Sequence, residues 1–141
     1  MKKLFLGLIA MSLLITACNQ STKTTQVATT TTANAANSPI MKFEFENHDF
    51  GKLKQGDKVT YEFKFTNTGK SPLIITSATA TCGCTTPEWP KTPIQPGEGG
   101  KIRVTFNSAG KTGLQDKLIT VSANTNPAQT MVHLIGEVIT K

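Results

Sequence analysis

Cysteine is scarce in this chain, with three in 141 residues at Cys18, Cys82 and Cys84. The last two lie too close in sequence to bridge separate layers of a domain, so a core here must hold by packing, without an inter-sheet disulfide. Long apolar runs are also missing. The longest, Leu4 to Ile15, is about a dozen residues, short of the roughly 20 that span a bilayer as a helix. Charge of one sign is never concentrated: 15 basic and 9 acidic residues give a net +6. Lysines stand among acids, as in Lys42, Glu44 and Glu46, in Asp57 and Lys58, and in Glu62 and Lys64. No basic run is interleaved with aromatics, which leaves a solvated surface and excludes the usual footprint of nucleic-acid binding. Catalytic signatures are equally wanting. The chain has no Gly-x-Ser-x-Gly elbow, no His-Glu-x-x-His, no phosphate-cradling glycine loop and no Cys-x-x-Cys. His48 and His133 read as surface residues, and without a base, a nucleophile and an orienting group together there is no site for an enzyme or a cofactor.

What the amino terminus does contain is an address. Met1, Lys2 and Lys3 give a cationic start, Leu4 to Ile15 an apolar run, and Ile15-Thr16-Ala17-Cys18 a small-residue site ending in cysteine. That is the pattern of a secretory signal peptide over residues 1–17. Its ending resembles a bacterial lipobox, which implies cleavage before Cys18, lipidation of its thiol and acylation of the new amino terminus. Two hydrocarbon attachments suffice for stable anchoring where one is marginal. Asn19 follows the cysteine in place of an acidic residue, which by resemblance to enterobacterial sorting favours the outer membrane, facing the periplasm. Removing Lys2 and Lys3 leaves 13 basic against 9 acidic residues, a net charge of +4.

Residues 18–39 change character: Thr22, Thr24, Thr25 and Thr29 to Thr32 sit among Ala, Asn, Gln and Ser, with Val27 the one sizeable apolar side chain. Such a segment buries too little to offset its ordering entropy and reads as a disordered tether, reaching on the order of 25 Å. Residues 40–141 have the size of one domain. There the period is two. Phe43 and Phe45 alternate with Lys42 and Glu44, Val59 to Phe65 with Thr60 to Thr66, and Ile102 to Phe106 with Lys101 to Thr105. On this reading Glu44 and Glu46 are the wet side of a first strand, and His48 lies just after it. Leu73 to Ala80, Leu114 to Ser122 and Gln129 to Val138 are further strands, the last with Val132, Leu134, Gly136 and Val138 inward and His133 outward. Turns at Asn67-Thr68-Gly69, Gln95 to Gly100, Ser108 to Gly110 and Asn124 to Pro127 separate them. The pattern predicts an all-β, immunoglobulin-like antiparallel sandwich of about seven strands. Its core is expected from Phe43, Phe45, Phe63, Phe65, Phe106 and the aliphatic residues.

Several strings carry a resemblance. His48-Asp49-Phe50-Gly51, Phe63 to Gly69, Leu73-Ile74-Ile75, Thr81-Cys82-Gly83-Cys84-Thr85, Pro87 to Trp89, Ile94 to Gly97, Ile102 to Phe106 and Leu134 to Val138 resemble the bacterial domain-of-unknown-function family 1573 over Met41 to Val138. Its members are similar to the immunoglobulin-like domains of the major sperm protein and pilus-chaperone superfamily. The resemblance implies the fold and brings no biochemical activity. Pilus chaperones carry two such domains and this chain has length for one. An exposed edge strand of such a sandwich either accepts a partner strand or is blunted by charge.

The chemically pointed feature is Cys82-Gly83-Cys84. Residues i and i+2 of a straight strand set their Cβ atoms about 6–7 Å apart, beyond disulfide reach, but a glycine between them lets the backbone bend. Three readings stand: a local disulfide or two inert thiols, a thiol-redox site, and a soft-metal site such as copper(I). Trp89, held between Pro87 and Pro90, either plugs an open end of the sandwich or anchors a partner. The preferred function is a non-enzymatic, lipid-anchored module contacting another envelope protein. The alternative is an accessory protein handling thiols or copper through Cys82 and Cys84.

Overall fold

The computed structural model describes residues 37–140. The signal peptide, the lipobox with Cys18 and most of the tether lie outside the described residues. Eight strands follow in order: β1 (Met41–Phe43), β2 (Asn47–Lys54), β3 (Lys58–Asn67), β4 (Ile75–Ala80), β5 (Thr85–Glu88), β6 (Gly99–Asn107), β7 (Gly113–Ala123) and β8 (Gln129–Ile139). They form two four-stranded sheets, β1-β3-β6-β5 and β2-β8-β7-β4. The alternation in the sequence is the reason. Phe63, Phe65, Ile102, Val104 and Phe106 point inward from the first sheet, and Ile119, Val121, Val132, Leu134 and Val138 from the second, all almost fully buried. Two sheets, each with one apolar face, bury those faces against each other.

The expected first strand is in fact two. Phe43 pairs with Phe65, but beyond the Glu44 N–H donating to Lys64 O at 3.0 Å the chain leaves this sheet. It crosses to the other, where the His133 N–H donates to Glu46 O at 2.7 Å and β2 runs parallel to β8. Phe45 falls on this crossover and is 66% exposed, so it is not a core residue. Glu44 and Glu46 belong to the same crossover, not to the wet side of a strand, and His48 lies within β2. The His48 ring stacks on Tyr61, with centroids 3.4 Å apart.

Two register shifts adjust the second sheet. Between Ile75 and Ser77 the β4–β7 ladder takes an extra residue, so the inward positions change from Ile75 to Ala78. Between Asp49 and Lys52, β2 gains one residue against β8, at Phe50-Gly51. Gly51 has a φ of 69°, and its N–H donates to Asp49 Oδ1 at 2.7 Å. The shift turns the Phe50 ring onto Gly136, where a Cβ would collide with the ring. β5, which the sequence did not announce, is a short edge strand. Pro87 lacks a ladder donor, and an edge tolerates that.

Two polar side chains are fully buried and each ties loops together. Asn67, at the end of β3, accepts the N–H groups of Ile40 (3.3 Å) and Gly69 (3.0 Å) and donates to Ser71 O (2.9 Å) and Ile94 O (3.0 Å). Ser108 accepts the Gly56 N–H at 3.0 Å, and its hydroxyl lies 3.0 Å from Lys54 O and 2.7 Å from Asp57 O. Together they hold the β2–β3 turn and the loops at the opposite end of the domain.

Candidate functional site

The β4–β5 connection brings the sequence-singled cysteines to one end of the sandwich. Thr81 closes the β4–β7 ladder through its N–H to Leu118 O at 3.1 Å. The chain then turns, with the Thr85 N–H donating to Cys82 O at 3.1 Å and the Asn107 N–H to Cys84 O at 2.9 Å. Within this turn Cys82 and Cys84 are disulfide-bonded, with Cα atoms 5.3 Å apart. Gly83 lies in the turn between them outside the left-handed region and with open space where a Cβ would stand, so the bend does not require a glycine. The buried Thr85 hydroxyl sits 3.6 Å from the Cys82 sulfur and 4.0 Å from that of Cys84. A shallow cavity of about 230 Å³ opens beside the loop, lined by Lys58, Gly83, Cys84, Thr86, Thr105 and Asn107 among others. With its sulfurs joined, this pair has no thiolate to offer a metal. Among the described residues no group of three or more His, Cys, Asp or Glu side chains is placed to hold one.

Trp89 follows β5 and packs half-buried against the core. Its Nε1 is buried without a hydrogen-bond partner among the described residues. The Lys91 ammonium lies 3.0 Å from the ring centroid and covers the indole. A larger cleft lies elsewhere, about 430 Å³ lined by Glu44, Phe45, Thr60, Tyr61, Glu62 and Lys64, where β1 departs from β3. Sequence reasoning put Phe45 in the core and so missed this cleft.

The two outer faces differ in kind. On the β1-β3-β6-β5 sheet the charged outward side chains are Lys42, Lys58, Lys64, Lys101 and Arg103 against Glu62 and Glu88, with no large apolar residue among them. Glu62 accepts hydrogen bonds from Lys101 Nζ (2.8 Å) and from Arg103 Nε (3.0 Å) and Nη2 (2.8 Å), which hold its carboxyl below the usual carboxylate range. On the other sheet the outward positions of β7 and β8 include Leu114, Leu118, Met131 and Ile135. Leu114 is 88% and Met131 49% exposed. The same register puts His133 beside Asp116, Nδ1 to Oδ1 2.9 Å, a partner for which the sequence gave no sign. Period two was read here as inside versus outside, and the apolar residues on the outside of β7 and β8 were not singled out.

The profile of the family described as "Protein of unknown function (DUF1573)" matches residues 41–138. The chain belongs to this family. No curated protein matches the sequence. Among solved structures, a protein of unknown function from Porphyromonas gingivalis W83 superposes with a TM-score of 0.63 at 21% identity, over 73% of this chain and 48% of that one. This DUF1573 chain thus spans about half of the Porphyromonas protein. PapD-like domain 7 of human CEP192 superposes with a TM-score of 0.59 at 11% identity, covering 96% of this chain and 99% of that one. A third likeness, TM-score 0.53 at 10% identity, is to the secreted serine protease VesC of Vibrio cholerae, over 75% of this chain and only 24% of the other. At these identities the likenesses establish the fold, an immunoglobulin-like sandwich, and no more.

Proposed function

We propose that this DUF1573 protein is a lipid-anchored component of a bacterial cell envelope whose sandwich is a non-enzymatic binding module, held by Cys18 on the outer membrane and facing the periplasm. The observation that carries the binding role is the asymmetry of the two outer faces. A sandwich that only had to stay soluble has no use for exposed Leu114 and Met131 with half-buried Leu118 and Ile135 between them at outward positions of adjacent strands, whereas apolar residues gathered on one face mark contact surfaces. The anchor reading rests on the tripartite amino terminus and the Ile-Thr-Ala-Cys site. The partner is a protein of the same compartment, reached as the domain moves on its tether.

Intact cells treated with a bifunctional amine-reactive crosslinker, then fractionated, test both parts. Wild type is expected in the detergent-soluble membrane fraction with a discrete higher-mass adduct. Cys18→Ala moves the protein out of that fraction. Membrane retention of the variant defeats the anchor, and a protein that yields monomer alone, with reagent reacting all over its lysines, defeats the binding role.

A further inference from the structure

We propose that the outer face of β7 and β8 is a docking surface for a polypeptide segment whose apolar side chains are flanked by lysine or arginine. This inference rests on the binding-module reading and gives that module its face and its partner chemistry. The register pairs Leu114 with Glu137, Asp116 with Ile135, Leu118 with His133 and Thr120 with Met131. The apolar residues therefore alternate between the strands as diagonal neighbours, and diagonal neighbours across an antiparallel pair lie about 7–8 Å apart, within reach of long side chains. Leu114, Ile135, Leu118 and Met131 form one continuous zig-zag, with Leu114 and Met131 the more open ends.

The rim selects the occupant. Carboxylates border the zig-zag at Asp116 and Glu137, and at Asp49, which stands opposite Ile135 on the neighbouring β2. On that outer face the strand cations are Lys52, opposite Glu137, and Lys54, at the far end of β2; Lys117, between Asp116 and Leu118 in sequence, belongs to the inner register and lies over the Phe106 ring. His133 lies within hydrogen-bonding distance of Asp116, and that carboxylate remains at the rim of the strip. An apolar strip edged mainly by acids is complemented by an apolar strip edged by bases. A second copy docking through the same face about a two-fold axis brings like carboxylates together. The chain's other outer face has the cations, but its one large exposed apolar side chain, Phe45, stands alone in a cleft beside Glu44 and Glu62, too little to cover four apolar positions. The stretch from Asn19 to Ala36 offers Val27 as its one sizeable apolar side chain and Lys23 as its one cation, too little to cover four apolar positions.

The test places the photoreactive residue p-benzoylphenylalanine at Ile135, and in a second strain at Thr105 on the opposite face, in the full-length lipidated protein in its native cells. Illumination, purification and mass spectrometry then identify the crosslinked segment. The expected result is an adduct from position 135 and none from 105, with the attached peptide carrying apolar residues and a Lys or Arg within two or three positions of the link. Adding Leu118→Thr, which keeps a strand-forming residue on a half-buried outward position, is expected to lower the yield at least tenfold while the domain stays folded, as its cooperative melting shows. An adduct to a second copy, to lipid or to a segment without basic residues overturns the proposal. So does an adduct from position 105 alone, or a yield indifferent to Leu118→Thr. If amine crosslinking shows a partner while position 135 gives none, the module reading stands and this face falls. If neither gives an adduct, both fall.

Discussion

Asn67 shows how much a single residue can decide in this fold. A side-chain amide offers two donor hydrogens and an acceptor oxygen with two lone pairs, and Asn67 uses all of them on backbone groups of Ile40, Gly69, Ser71 and Ile94. Asn67-Thr68-Gly69 was legible as a turn, since these residue types punctuate strands. The burial of the amide was not, because its partners lie on three separate segments that only the fold assembles. Asn67→Leu preserves volume and strands these four groups. Each buried polar group left unpaired costs about 1–3 kcal/mol, and water rescues those nearest the surface, so a loss of about 3 kcal/mol or more is expected. Urea denaturation measures it. A loss below about 1 kcal/mol shows that the amide is not the hub described. His133 teaches the same lesson at the surface: its Asp116 neighbour is 17 positions away in sequence and becomes adjacent only through the β7–β8 register.

Strand elements were readable where alternation ran unbroken, in β3, β6, β7 and β8, and where glycine, proline and asparagine clusters bounded them. Three things broke the pattern without a local mark. The crossover at Glu44 to Glu46 keeps an alternating composition while the backbone changes sheets, which is why Phe45 looked buried. The extra residue in β4 shifts parity between Ile75 and Ala78 with no glycine to signal it. β5 hides behind Pro87 and the cysteine loop. The parallel pairing of β2 with β8 joins the two ends of the domain, and a single sequence carries no trace of it beyond the glycine at 136. That glycine has a φ of 157° and the Phe50 ring against it. Gly136→Ala is expected to cost about 1–3 kcal/mol by overpacking and to loosen β2 first, read as faster amide exchange at Asn47 to Lys54. Phe50→Ala in the same chain clears the collision, so the double variant should be less destabilised than the sum of the singles. Strict additivity defeats this account of the β2–β8 contact.

At the scale of the whole molecule the fold separates three tasks. Among the described residues, the core of the two sheets draws on Met41 to Val138, and the domain is expected to fold without the proposed anchor. The two outer faces divide charge from apolar surface. On the proposed anchoring, the stretch 19–36, by composition, sets how far the domain can search. A chain of Thr, Ala, Asn and Ser spans a distance that grows with the square root of its length, so deleting residues 21–36 cuts the reach from about 25 Å to about 12 Å. The deletion removes none of the core residues between Met41 and Val138. The melting temperature is therefore expected to move by less than about 2 °C, under the roughly 4–8 °C that one kcal/mol shifts a domain of this size. The crosslinking yield with the envelope partner is expected to drop severalfold, since a site beyond the shortened reach sees almost no effective concentration of the module. Full yield after the deletion means that the partner lies at the membrane surface and the tether's reach goes unused. A lowered melting temperature means that residues 21–36 pack on the domain, and the separation of tasks fails.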